Sequence, residues 1–100
     1  MAASVNPDFG TLLEVNATSW GEPKRLRFAM FDDKYDSVYI RVFSWDDREN
    51  RWWYIATFSH RALPDHWNGK ELISAHGRFV IDPKDWELVR ITADSVVLGL

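Results

Sequence analysis

The chain has no cysteine, which excludes disulfides, thiolate metal sites and cysteine nucleophiles. No apolar run approaches transmembrane length, so no membrane span or membrane partner is expected. Met1-Ala2-Ala3-Ser4-Val5 has neither the basic segment nor the apolar run of a secretory signal before Pro7-Asp8, and the expected location is cytoplasmic. In that setting the acceptor-like triplet Asn16-Ala17-Thr18 is coincidental. A large excess of one charge is also missing. The formal charge of −3 gives no general attraction to nucleic acid or anionic surfaces. Gly-x-Ser-x-Gly, the P-loop and the dinucleotide fingerprint are absent, and Ser44, Ser59 and Ser74 have no assignable base. The expectation is therefore a non-enzyme without cofactor or metal.

What the chain does have is aromatic and aliphatic mass. Six tryptophans and 46% hydrophobic residues in 100 positions exclude a disordered chain and fit one domain with a modest core. Residues 1–9 read as a flexible lead-in and residues 10–100 as a single β-rich domain.

Two hairpins stand out. In residues 25–31 the even positions are Leu26, Phe28 and Met30, and in residues 37–45 they are Val38, Ile40, Val42 and Ser44. In residues 51–59 they are Trp52, Tyr54, Ala56 and Phe58. Side chains alternate across a strand, so these sets share one face. Pairing Met30 with Val38, and Val42 with Tyr54, keeps even opposite even through both hairpins. The other face then carries Arg25, Arg27, Tyr39, Arg41, Phe43, Trp45, Arg51, Trp53 and Ile55, with no acidic residue. Left bare, that apolar area exceeds what soluble monomers usually expose, so a cover is expected.

Elsewhere residues 11–17 alternate as a first strand, broken by Gly21-Glu22-Pro23. Residues 63–69 read as a compact turn with one helical turn, Ala75-His76-Gly77 as a bend, and residues 78–81 as a strand. Asp82-Pro83 looks like a helix start. Yet residues 86–92 and 95–100 alternate at period two, and the expectation is a hairpin aligning Ile91 with Val96 and Val89 with Leu98. The fold class expected is all-β, an antiparallel meander of six or seven strands forming a small barrel or sandwich. The alternative is β-rich α+β with one short helix near residues 64–74.

Candidate chemistry is sparse. His60, His66 and His76 with Asp65 have suitable donor atoms but no local metal-ligand spacing, and ordinary surface or loop histidines are the preferred reading. The pairs Asp32-Asp33 and Asp46-Asp47 read as turn residues that bond their own backbone, not as catalytic carboxyls. The arginine–aromatic face is the best candidate, because Trp, Tyr and Arg are enriched at protein interfaces. The expected function is binding another protein or a second copy of the chain. Single-stranded nucleic acid on the same face is the alternative. A lower-ranked reading gives Asp32, Asp33, Asp36, Asp46, Asp47 and Glu49 a basic partner. Carbohydrate stacking on Trp20, Trp45, Trp53 or Trp67 ranks low, since such domains are commonly secreted.

Overall fold

The alternation in the first sixty residues is realised as antiparallel sheet in a computed structural model that describes residues 3–6, 10–32 and 38–98. Seven strands form: β1 (Ala3–Asn6), β2 (Gly10–Ser19), β3 (Glu22–Asp32), β4 (Val38–Asp46), β5 (Arg51–Ser59), β6 (Glu71–Ser74) and β7 (Gly77–Ile81). A 3-10 helix, His60–His66, lies between β5 and β6, and the helix α1 (Pro83–Leu98) follows β7. The strand order is β5-β4-β3-β2-β7-β6, in a sheet curled as half a barrel. β1 and β7 share the edge of β2 that β3 leaves free. This is the β-rich antiparallel meander expected, with a short helix. Three details differ from expectation: the two chain ends and the β3–β4 register.

The first is at the N-terminus. Ala3–Asn6 pair with Gly10–Leu13 as an added strand and are not a free lead-in; positions 1–2 and 7–9 of that segment lie outside the described residues.

The second is at the C-terminus, where residues 83–98 are helix and not a hairpin. Asp82 caps it: its Oδ1 accepts from the Lys84 backbone N–H at 2.8 Å and its carbonyl from that of Trp86 at 3.0 Å. Pro83 takes the first helical position, where its missing N–H costs nothing. Trp86, Val89 and Ala93 lie on one helical stripe and are buried, whereas Ile91, aligned inward by the period-two reading, is exposed. On the outward side Arg90 bonds Glu87 and, at 2.8 Å, Asp94. Tertiary burial thus overrides the strand preference of the β-branched residues in this segment.

The inner face of the sheet is the core. It carries Leu13, Val15, Leu26, Phe28, Met30, Ile40 and Val42, all below 2% exposed. The 3-10 helix crosses from one sheet edge to the other and buries Leu63. α1 then packs on β2, β3 and β4. Trp86 stacks on Trp67 with centroids 4.6 Å apart and meets Phe28 edge-on at 6.5 Å.

The expected face assignment holds across β3 and β4, but the register differs by two residues. Met30 pairs with Ile40 and Phe28 with Val42, the ladder running on to Asp32 opposite Val38. A shift of two preserves the face, as a shift of one does not. Glu71–Ser74 and Gly77–Ile81 form the hairpin around the expected bend at residues 75–76.

The β2–β3 turn is two residues long. Trp20 (φ 54°) and Gly21 (φ 75°) are both left-handed, the geometry that hairpin twist prefers and that Asn-Gly satisfies at least cost. Trp20 is 96% exposed there.

Two stability outcomes follow. Trp86→Ala should lower unfolding free energy by about 3–5 kcal/mol in denaturant titration, since it removes the ring that joins helix, 3-10 segment and sheet. Trp20→Asn should raise it by about 1 kcal/mol, because Asn tolerates the left-handed turn better.

Candidate functional site

The outer face of β2–β5 is built by the same alternation that builds the core. β2 contributes Leu12 and Glu14, β3 Arg25, Arg27, Ala29 and Phe31, and β4 Tyr39, Arg41, Phe43 and Trp45. The contribution of β5 is decided by two local irregularities. Asp46 pairs with Arg51 across a four-residue turn, Asp47 to Asn50, closed by left-handed Asn50 (φ 56°). That length sets Trp45 opposite Trp52 and Phe43 opposite Tyr54. A β-bulge then makes Ile55 an extra residue, after which Val42 pairs with Ala56 and Ile40 with Phe58.

Odd and even therefore exchange faces within β5. Trp52 and Tyr54 join the outer face, and Ile55 is buried at 8% exposure. Trp53 lies opposite Ser44 on the inner side at the open end of the sheet, with the Arg51 guanidinium 3.8 Å from its ring centroid. Of the residues expected on the outer face, Arg25, Arg27, Tyr39, Arg41, Phe43 and Trp45 are there. Arg51, Trp53 and Ile55 are not, because sheet parity was carried through a turn and a bulge that each change it. The expectation of a face without acid is also corrected: Glu14 arrives from β2.

The rings and guanidiniums cover one another. Arg27 lies 4.2 Å from the Trp52 ring centroid, and Arg25 lies 5.3 Å from Trp52 and 5.4 Å from Trp45. Arg41 sits 5.0 Å over Phe31. Glu14 accepts from Arg27 at 2.7 Å and stands 3.7 Å from Arg25. Trp45 meets Trp52 edge-on at 5.2 Å, and Phe43 meets Tyr54 at 6.1 Å. Long arginine stems can shield apolar surface while their heads stay wet. α1 occupies the inner face, and among the described residues no element packs over the outer one.

At its centre lies a socket of ≈ 130 Å³, lined by Leu12, Arg27, Ala29, Phe43 and Trp52. Ala29 is only 4% exposed although it points outward. Its single methyl forms a floor between larger neighbours. Three arginines against one glutamate leave this face positive on a chain whose formal charge is −3.

At the open end a second concavity of ≈ 670 Å³ is bounded by the turns β2–β3, β4–β5 and β6–β7. Trp20 and Trp53 both line it, with Ser19 and Ser44. Both tryptophans are among the four expected to be able to stack on a sugar, but they are 33 positions apart, and only the common end of two hairpins brings them to one concavity. Of the other two, Trp45 belongs to the outer face and Trp67 is stacked against Trp86.

The aspartates of the β4–β5 turn hold indoles. Asp47 accepts from Trp45 Nε1 at 2.7 Å and Asp46 from Trp53 Nε1 at 2.6 Å, while Asp46 also accepts from the backbone N–H groups of Arg48 and Glu49. Glu49 pairs with Arg51 at 2.9 Å. These acids act as turn residues. Asp33 and Asp36 lie outside the described residues, as does the Asp32 side chain. The histidines are spread apart in role. His66 stacks on Phe58 at 4.6 Å with Nδ1 3.2 Å from the Ile73 carbonyl, and His76 is exposed in the β6–β7 turn. His60 keeps a buried Nδ1 with no hydrogen-bond partner. Among the described residues no group of three or more His, Cys, Asp or Glu could hold a metal ion, and no helix is long and apolar enough to cross a membrane.

The Trp53 N–H, aided by the Arg48 and Glu49 amides, holds the Asp46 carboxyl below the ordinary carboxylate range. A depressed pKa means the contact persists on acidification until the folded-state pKa is passed. The Trp53 indole resonance should therefore titrate with a midpoint below that of an exposed aspartate, and Asp46→Asn should abolish the titration. Comparison with known proteins finds no matching family model, no matching curated protein and no matching solved structure.

Proposed function

We propose that this is a non-catalytic, cytoplasmic binding domain whose outer sheet face receives another protein. The observation that supports the reading is the apolar socket over Ala29, walled by Leu12, Phe43 and Trp52 and flanked by guanidiniums. Interfaces concentrate their energy where a large side chain enters a desolvated pocket ringed by polar contacts. The socket has room for one apolar side chain. The surrounding positive charge favours a partner segment in which that side chain is flanked by aspartate or glutamate.

The nucleic-acid alternative fits less well. Bases bind such faces by stacking on open rings, but Arg25 and Arg27 already lie over Trp52, and Arg41 over Phe31. Self-association remains an instance of the same reading, with a second copy as the partner.

Selection of displayed peptides on the purified protein tests this. Enriched sequences should carry an aliphatic or aromatic residue beside acidic ones, bind less tightly as salt rises, and shift the Trp52 indole resonance. Ala29→Leu, which fills the socket from below, should weaken the selected peptide about tenfold or more, with the unfolding midpoint retained. Arg41→Glu should weaken it independently. Peptides that bind Ala29→Leu as well as the parent, or that shift only inner-side indoles, would show the reading to be wrong.

A further inference from the structure

We propose that the concavity at the open end of the half-barrel is a binding site for a neutral, hydroxyl-rich ligand of the oligosaccharide class, separate from the outer face. Its volume of ≈ 670 Å³ lies within the range of small-ligand sites. Two observations single it out.

The first is Trp20. At 96% exposure and φ 54°, this indole has almost no packing within the chain and occupies a backbone conformation that L residues with large side chains disfavour. Residues held against their backbone preference concentrate at ligand-contacting positions. Trp20 places a bare aromatic surface at the lip of the cleft.

The second is Trp53, 43% exposed on the same cleft. Its N–H is fixed on Asp46 at 2.6 Å and Arg51 takes one ring face at 3.8 Å, so Trp53 frames the cleft and the stacking surface is that of Trp20. That side chain is oriented before any ligand arrives, which lowers the ordering cost of binding.

The polar lining decides the ligand class. Ser19 and Ser44, both more than nine-tenths buried, bring hydroxyls that donate and accept. Glu22 and Asp47 accept, and Lys24 and Arg48 donate. Glu22 and Lys24 stand 3.9 Å apart, a loose pair in which each can turn to a ligand. A phosphate would meet the carboxylates of Glu22, Asp46 and Asp47, and an ammonium ion would meet Lys24 and Arg48. A ring of hydroxyls with an apolar C–H face suffers neither repulsion. It offers donors and acceptors at its edge and a flat surface to the bare Trp20 indole.

The test is a titration of the ¹⁵N-labelled protein with cellohexaose, maltohexaose and N-acetylchitotetraose, read on the six indole N–H resonances. At least one sugar should shift Trp20 and Trp53 saturably at millimolar concentration while Trp67 and Trp86 stay fixed. Trp20→Ala should reduce that affinity about tenfold with no loss in unfolding midpoint, and Trp20→Asn, which keeps the turn, should do the same. Silence of Trp20 and Trp53 with all three sugars would overturn the assignment. So would movement confined to Trp45 and Trp52, equal binding by the Trp20 variants, or a response to ATP or tetramethylammonium in place of the sugars.

Discussion

Trp86 is wedged between Trp67 and Phe28, and this contact settles which side of the sheet is inside. A sheet apolar on both faces has two ways to fold over. The stripe Trp86–Val89–Ala93 joins the buried cluster of the inner face, and packing α1 there completes the core. Once the helix is committed to that side, the other face has nothing left in the chain among the described residues to cover it. The uncovered face and the open end are both consequences of this choice.

The outer face is made tolerable in water by its arginines. Cation–π contacts at exposed sites are each worth only about 0.5–1 kcal/mol, but they let guanidinium groups screen rings without closing the surface. Glu14 neutralises part of the charge and orients Arg27. The arrangement keeps a large apolar area wetted and leaves one unfilled position over Ala29.

Backbone geometry in the β4–β5 hairpin divides the aromatic run Trp52-Trp53-Tyr54 between two surfaces. The four-residue turn inverts the phase of β5 and the bulge at Ile55 restores it. Adjacent tryptophans consequently serve different sites: Trp52 walls the outer socket and Trp53 the open-end cleft. The same turn supplies Asp47 and Asp46, which accept from the indole N–H groups of Trp45 and Trp53.

Strands β2–β5 and β7 and the inner face of β2–β4 were legible in the sequence, because alternation at Leu13–Val15, Leu26–Phe28–Met30 and Val38–Ile40–Val42 is a local property that survives a two-residue change of register. The arginine-bearing half of the outer face was legible for the same reason. Three things were not. Trp52-Trp53-Tyr54-Ile55 are apolar at every position, so no alternation marks the bulge. Residues 86–98 satisfy both a strand period and a helical stripe, and only the concave sheet waiting for Trp86 decides between them. Trp20 and Trp53 belong to one cleft because two hairpins end together. Sequence alone determined what β2, β3 and β4 would bury, since there the alternation depends only on neighbours two residues apart. Tertiary structure decided which aromatic meets which surface, since that depends on turn length, a single inserted residue and the place where a distant helix finds its largest buried area.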